Sequence, residues 1–311
     1  MRPIYPTAEI RRIEQAAGEV SPRLMERAGL AAAEHAARLC AGKDILVLAG
    51  PGHNGGDARI AAEHLQQRFF RVTVASHPRE LPLERSWALV IDGLFGIGLA
   101  RNITGDYATL IEYANRQACP RLALDVPSGL QSDTGQVLGC ALRATHTLTF
   151  IALKPGLLTL EGPDHCGELS VATLGLDATS LARPSAWVAG PELFRESLKA
   201  RPRSFHKGQA GSVGILGGAR GMTGAPLIAG RAALKLGAGR VYVGLLQPIE
   251  IDPAVPELML RHADDVLGLD LDALVAGPGL GRSEHAATLV GAALTAEMPC
   301  VLDADALNLL A

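Results

Sequence analysis

Ile45-Leu46-Val47-Leu48-Ala49-Gly50-Pro51-Gly52-His53-Asn54-Gly55-Gly56-Asp57 joins a short apolar run to a glycine-rich segment that ends in a carboxylate. Residues 58–70 follow with apolar positions at helical spacing, so the stretch predicts a strand buried on both faces, a turn and a helix. Glycines in such a turn let a ligand approach the backbone, and the unpaired amides at the helix start favour an anion such as a pyrophosphate. Gly50, Gly52 and Gly55 satisfy G-x-G-x-x-G, but a dinucleotide fingerprint also requires an acid at the end of the next strand. That strand, residues 71–75, runs into Ser76-His77-Pro78-Arg79, and the acid lies inside the loop as Asp57. An ordinary dehydrogenase is thereby disfavoured. The plainer reading of the loop alone is a tight turn whose glycines serve packing only.

With 311 residues, 48% of them apolar, the chain has material for two cores rather than one. A net charge of -3 and the lack of a long Lys/Arg block leave no electrostatic footprint for nucleic acid or an anionic membrane, so small ligands are expected. Cys40, Cys119, Cys140, Cys166 and Cys300 are odd in number and never form C-x-x-C, which argues against a disulfide framework or a zinc site and fits a reducing cytoplasm. The first nine residues lack the apolar core of a signal peptide, and no apolar stretch is long enough to span a bilayer. A cytoplasmic homo-oligomer is expected.

Residues 22–39 suit an amphipathic helix with Ser21 as its cap and Pro22 in its first turn. Strands are expected at residues 45–49, 72–75, 88–91, 121–124 and 148–152, with helices between most of them: a Rossmann-like three-layer α/β/α domain over residues 1–182. Between residues 183 and 207 the pattern breaks into Arg183-Pro184, Lys199, Arg201-Pro202-Arg203 and His206-Lys207, which reads as a linker. From residue 208 to 311 the alternation restarts, with strands at 212–216, 240–245, 274–276 and 300–302 and helices from about Thr223 and Ser283. A parallel sheet ending there would have an open edge, so this second α/β domain is expected to be incomplete.

In open parallel sheets, ligands bind beyond the carboxyl ends of the strands. Three such ends carry oxygen-bearing side chains: Asn54 and Asp57, then Asp92-Gly93-Leu94-Phe95-Gly96-Ile97-Gly98-Leu99, then Asp125-Val126-Pro127-Ser128-Gly129. Crowded carboxylates repel unless a cation or a shared proton compensates, and oxygen ligands without His or Cys suit an alkali or alkaline-earth ion, with Asn54, Asp92 and Ser128 as its candidate ligands. Taken singly, Asp92 or Asp125 could merely cap a loop or helix.

Gly52-His53-Asn54-Gly55-Gly56-Asp57, Asp92 to Leu99, Asp125-Val-Pro-Ser-Gly129 and the earlier Leu24-Met25-Glu26-Arg27-Ala28-Gly29 together resemble the bifunctional NAD(P)H-hydrate repair enzymes over nearly the whole chain. The resemblance implies an amino-terminal epimerase domain that interconverts the R and S forms of hydrated NADH or NADPH. It also implies a carboxyl-terminal, ribokinase-like domain that dehydrates the S form with ADP or ATP. It would place His53, Asn54, Gly55, Gly56 and Asp57, with Gly96, Ile97, Gly98, Leu99, Ala100, Arg101 and Asn102, along the hydrated dinucleotide. Asp125 would contact the reacting part, and Asn54, Asp92 and Ser128 would hold potassium. A carboxyl group that donates and retrieves a proton would speed loss and return of water at the hydrated carbon, and Asp125 is the first choice for it, Asp57 the second. The sequence departs from the family's usual residues at His53 (Asn), Ala58 (Gly), Ile97 (Thr) and Thr145 (Asp).

His206-Lys207-Gly208, Gly217-Gly218, Thr223-Gly224-Ala225, Pro256-Glu257-Leu258-Met259, Gly277-Pro278-Gly279-Leu280-Gly281 and Asp303-Ala304-Asp305 resemble the front half of the dehydratase domain, with Ala225 and Gly279 as its contacts to the hydrated nicotinamide. The family's later His-Pro-Gly-Glu and Gly-Gly-x-Gly-Asp segments do not occur, so these 311 residues are expected to lack dehydratase activity by themselves. Two other readings stand beside this one: a ribokinase-type small-molecule kinase, and a non-catalytic nucleotide-binding scaffold.

Overall fold

A computed structural model describes residues 1–18, 20–82, 85–197 and 200–311. The chain divides into two compact units, Met1–Leu198 and Lys199–Ala311. Lys199, one of the residues that marks the break in the sequence pattern, lies outside the described residues.

The first unit runs β1 (Arg2–Ile4), α1 (Thr7–Ala17), α2 (Leu24–Leu39), β2 (Asp44–Ala49), α3 (His53–Gln67), β3 (Arg71–Ala75), β4 (Leu89–Gly93), α4 (Asp106–Asn115), β5 (Arg121–Leu124), β6 (His146–Phe150), α5 (Gly162–Cys166), β7 (Glu168–Ala172), α6 (Ala178–Leu181) and β8 (Ala186–Val188). Six strands form one parallel sheet in the order β3-β2-β4-β5-β6-β7, and β1 pairs antiparallel with β8. Side chains alternate across β2, so Ile45 and Val47 meet the alanines of α2 and α3 while Leu46 and Leu48 meet Leu110, Ile111 and Ala114 of α4. The result is three layers, α/β/α. The chain leaves β2 toward β3 on one side and returns to β4 on the other, so β2 and β4 flank the point where strand order reverses, the place where such sheets open a crevice.

The second unit runs β9 (Ser212–Gly217), α7 (Gly224–Leu236), β10 (Arg240–Leu245), β11 (Met259–His262), α8 (Ala263–Val266), β12 (Ala273–Ala276), α9 (Glu284–Leu294), β13 (Cys300–Leu302) and α10 (Asp305–Leu310). Its sheet is parallel in the order β11-β10-β9-β12-β13, so the strand order reverses between β9 and β12. Ser283 caps α9, its Oγ accepting from the Ala286 amide at 3.1 Å.

Several boundaries differ from the sequence reading. The helix expected from Pro22 starts at Leu24. Ser21 is not its cap; Arg23 holds that place, and its amide donates to the Glu26 carboxylate at 3.0 Å. The helix expected from Ala58 begins at His53, so Asn54, Gly55, Gly56 and Asp57 are helical residues and only residues 50–52 form the turn. The strand expected at 148–152 ends at Phe150 because Ile151 takes a left-handed conformation, φ 67°. Strands β7 and β11 carried no signal strong enough to be expected.

Ala58, where the family usually has Gly, explains one glycine across the sheet. An added Cβ at Gly93 would lie 2.4 Å from the Ala58 methyl and 2.9 Å from the Asn54 carbonyl. Gly93→Ala is expected to destabilise the unit by about 2 kcal/mol or more through overpacking, and Ala58→Gly on top of it to recover part of the loss. Urea unfolding of the two single variants and the double variant measures this coupling; strict additivity would exclude it.

Candidate active site

A cavity of about 740 Å³ opens at the switch point of the first sheet. Its walls come from α1 (Ile10, Arg11, Glu14, Gln15), α2 (Leu24, Met25, Ala28), the β2–α3 turn (Pro51, Gly52, His53, Asn54, Asp57), the β4 loop (Leu94 to Leu99), Asp125, and the segment after β6 (Ile151, Lys154). Glycine makes this possible by close approach. A Cβ at Gly50 would lie 1.9 Å from the Leu94 carbonyl oxygen, and one at Gly55 would lie 1.9 Å from the Gly50 carbonyl oxygen, whereas a Cβ at Gly52 would meet nothing. Gly50 and Gly55 therefore hold the turn against its neighbours, and Gly52 presents open backbone to the cavity. Gly56 packs against the Met25 sulfur, and its amide is already bonded to the Gly52 carbonyl at 3.1 Å.

Asn54 ties three loops together. Its amide nitrogen donates to the Phe95 carbonyl at 2.9 Å and the Leu124 carbonyl at 3.1 Å. Its Oδ1 is buried and is the one such side-chain atom among the described residues without a hydrogen-bond partner. Beside it, Ser128 Oγ donates to Asp92 Oδ1 at 2.7 Å and accepts from the Phe95 amide at 2.9 Å, while the Ser128 amide donates to Asp92 Oδ2 at 2.8 Å. Asp92 is fully buried, and burial raises its pKa to about 6 in spite of the donors from Ser128 and Leu94. Asp92 and Ser128 are not among the residues lining the cavity. The three strand-end carboxylates expected to crowd one edge are thus separated: Asp57 and Asp125 line the cavity, and Asp92 does not.

Asp57 and Asp125 sit in unlike surroundings. Asp57 is buried on α3, and burial, then the charges of Asp125 and Glu14, push its pKa up to about 8. Glu14 shifts upward as well, mainly by burial and then by Asp125. Asp125 stands at the end of β5 with φ 63°, and the Val126 amide bonds back to the Leu124 carbonyl at 2.8 Å, closing a three-residue turn of the strained, positive-φ kind. Its Oδ1 accepts from the Phe150 amide at 3.2 Å, from Thr149 Oγ1 at 3.4 Å and from the ammonium of Lys154. Lys154 is wholly buried, and its other two donors go to Thr149 Oγ1 at 2.8 Å and the Phe150 carbonyl at 2.7 Å.

Of the residues expected to contact a ligand, His53, Asn54, Asp57, Gly96, Ile97, Gly98, Leu99 and Asp125 meet at this cavity. Gly55 and Gly56 support the turn from behind, and Ala100, Arg101 and Asn102 run on as exposed residues that do not line it. Thr145 lies at the opposite, amino end of β6, where its Oγ1 accepts from the Arg121 amide at 2.9 Å, so the change from Asp there does not touch the site. Sequence reasoning missed Lys154 and the whole contribution of α1. The available signals were a lone charge inside the apolar run Ile151-Ala152-Leu153-Lys154-Pro155 and the spacing of Ile10 and Ile13, which are buried on α1.

In the second unit, Ala225 and Gly279 are brought side by side by the β9/β12 switch point. A Cβ at Gly279, φ 59°, would lie 3.4 Å from the Ala225 methyl, and the Ala219 amide donates to the Gly279 carbonyl at 2.8 Å. Asp305 Oδ2 accepts from the Gly281 amide at 2.8 Å, fixing the glycine loop. Among the described residues no group of His, Cys, Asp and Glu is arranged to hold a metal, and no helix is long and apolar enough to cross a membrane.

The fold and site thus define a two-unit α/β protein whose first unit presents paired acids in a crevice of dinucleotide type. The YjeF-related protein N-terminus family matches residues 21–88 and 75–156, and the NAD(P)H-hydrate dehydratase family matches residues 213–311. Bifunctional NAD(P)H-hydrate repair enzymes are similar throughout: that of Leishmania braziliensis is 36% identical over 93% of this chain and 61% of its own length, and that of Coxiella burnetii 37% identical over 100% and 72%. An ADP/ATP-dependent NAD(P)H-hydrate dehydratase from Bacillus subtilis, solved with ATP and Mg2+, is 30% identical over 37% of this chain and 45% of its own, with a TM-score of 0.32. The chain belongs to the bifunctional NAD(P)H-hydrate repair enzyme family, and it spans 61% to 72% of the length of the two relatives named.

The raised pKa of Asp57 has a thermodynamic consequence. A carboxyl that is protonated in the folded state and ionised in the unfolded state favours folding most below its unfolded value near 3.8, and that contribution is lost as pH rises toward about 8. Asp57→Asn, which cannot ionise, is therefore expected to melt about 5–10 °C above wild type at pH 9 and close to it at pH 4–5. Thermal melts across this range check it; an equal difference at both pH values would show that Asp57 is charged in the fold.

Proposed function

We propose that residues 1–182, with the β8 segment that the sequence reading assigned to a linker but that pairs with β1 in the first unit, epimerise the R and S forms of hydrated NADH and NADPH, and that residues 208–311 carry the part of the ADP-dependent dehydratase half in which Ala225 and Gly279 contact the hydrated nicotinamide. The observation that carries the first part is the pair of acids with opposed environments on one cavity: Asp57, protonated at neutral pH, and Asp125, held in an ion pair with Lys154. A carboxyl that keeps its proton beside one paired with a cation is the arrangement of an acid and a base.

The hydrated carbon bears a hydroxyl next to the ring nitrogen. Asp57 donates its proton to that hydroxyl, and water leaves as the nitrogen lone pair forms the iminium bond. Water then adds to the other face and gives up a proton to a carboxylate, with Asp125 as acceptor. The proton taken up by Asp125 returns through solvent to Asp57, so over a whole turnover the sum is a change of configuration only. The open backbone at Gly52 and the first amides of α3 suit the anionic part of the dinucleotide, with His53 as an added donor.

Asn54 Nδ2 and Ser128 Oγ share the Phe95 carbonyl, Ser128 Oγ reaches Asp92, and Asn54 Oδ1 is buried without a partner; this network of oxygen donors suits an alkali cation. Asn54, Asp92 and Ser128 would hold potassium, which would supply fixed positive charge beneath the dinucleotide. Hydrated nicotinamide cofactors arise where the cofactors turn over; we place the protein in the cytoplasm, a compartment that suits its five free cysteines.

Following R-NADHX conversion to the S form, with potassium or with sodium in its place, tests the reading. Catalysed epimerisation is expected, with Asp125→Ala falling to near the spontaneous rate and Asp57→Asn losing about 100-fold. Because Asp57 must carry its proton, the rate should hold through neutral pH and fall tenfold per pH unit above about 8, a limb absent from Asp57→Asn. Binding of NADHX without turnover would instead support a scaffold, and ATP-dependent phosphorylation of an alcohol a kinase.

A further inference from the structure

Asp125 stands on one of two like tight turns at the ends of adjacent strands, and Lys154 follows the other by two residues. At the end of β5, Asp125 has φ 63° and the Val126 amide donates to the Leu124 carbonyl at 2.8 Å. At the end of β6, Ile151 has φ 67° and the Ala152 amide donates to the Phe150 carbonyl at 2.8 Å. Non-glycine residues take this conformation only when their surroundings enforce it.

The Lys154 ammonium is the group that spans the two turns. It is wholly buried, and its three donors are all spent: on Asp125 Oδ1 of the first turn, on the Phe150 carbonyl of the second, and on Thr149 Oγ1 between them. The Phe150 amide adds a further donor to the same Oδ1. Oδ2 is the oxygen that approaches Gly96, and a Cβ built there would lie 3.3 Å from it. The two oxygens of Asp125 are thus unequal: Oδ1 is saturated from within the fold, and Oδ2 is turned to the β4 loop that walls the cavity.

We propose that Lys154 is a positioning residue for Asp125: by occupying Oδ1 and bracing both turns, it fixes the carboxylate so that Oδ2 alone exchanges protons with the substrate. The proposal rests on the epimerase reading of the same cavity. Of the other titratable residues lining the cavity, Asp57 and Glu14 are acids like Asp125, and Arg11 and His53 are exposed, so Lys154 is the buried cation at Asp125. Removing the ammonium leaves a buried carboxylate with no compensating cation, a change that favours the protonated acid and frees the side chain to turn.

The test compares wild type, Lys154→Met, Thr149→Val, Asp125→Asn and the double variant Lys154→Met/Asp125→Asn. For each, kcat and KM for epimerisation of NADHX are measured against pH, and the carboxyl 13C resonance of Asp125, assigned by its absence in Asp125→Asn, is titrated. Lys154→Met is expected to lower kcat about 100-fold while changing KM less than threefold. Its acid limb and the Asp125 resonance should both move up by at least one pH unit, and the double variant should be no slower than Asp125→Asn alone. Thr149→Val, which keeps the ammonium but removes one of its acceptors, should show the same changes at about a tenth of the size, and it decides the matter if Lys154→Met does not fold. An unshifted carboxyl titration in the variants, or loss in kcat and KM together with an unshifted pH profile, would overturn the proposal. A wild-type chain that shifts as expected in the carboxyl titration series but never accelerates epimerisation would overturn the functional reading instead.

Discussion

The site depends on one steric constraint: backbone must touch backbone where the β2–α3 turn meets the loop after β4. With Cβ positions at Gly50 and Gly55 both within 1.9 Å of carbonyl oxygens, no other residue fits either place without separating the strand from the helix. Because the contact is this close, the first turn of α3 starts immediately at His53, and Asn54 reaches across to the Phe95 and Leu124 carbonyls. Three loops from three strands are then joined by one amide. The glycines that looked like a phosphate cradle are therefore of two kinds: Gly52 leaves room for a ligand, and Gly50 and Gly55 leave room for the protein.

That junction also sorts the acids. Once Asn54 and Ser128 draw the loops together, Asp92 is enclosed and its carboxylate accepts from Ser128 and Leu94. Asp57, one helical turn beyond Asn54, is turned to the cavity but lacks a compensating cation, and a buried carboxyl without one keeps its proton. Asp125 has the cation. Three aspartates that are alike in the sequence thus become a structural anchor, a neutral acid and a paired carboxylate, and the difference lies wholly in what surrounds them.

That Asn54, Asp57 and Asp125 would meet at one crevice was legible because strand ends are marked by the shift from apolar runs to glycine and acid. Lys154 was not legible, because its carboxylate partner Asp125 is 29 residues away and the lysine itself follows an apolar segment that reads as more strand. The same segment misled the strand boundary: Ile151 is a strong strand former, and nothing in composition warns that it will adopt φ 67°. Helix α1 escaped for another reason. Its buried face is Ile10 and Ile13, packed with Tyr5 against Ile151 and Ala152; the helical spacing is there, but two apolar residues among charged ones do not by themselves point to the wall of a distant cavity.

The second unit repeats the constraint in a different strand order. Gly217 ends β9 with its Cβ position 2.1 Å from the Pro278 carbonyl oxygen, as Gly50 ends β2 against Leu94, and in each case the partner lies in the loop after the strand across the switch point. Gly277 continues the pattern, 1.8 Å from the Asp303 carbonyl oxygen. What differs is the side chains placed on that common frame. The first unit sends two carboxyl groups into its crevice, whereas in the second the Asp305 carboxylate is taken up by the Gly281 amide and the residues brought together are a methyl and a bare backbone, Ala225 and Gly279. Methyl and bare backbone of that kind are suited to lie against a flat group, and the paired acids Asp57 and Asp125 stand in the crevice of the first unit.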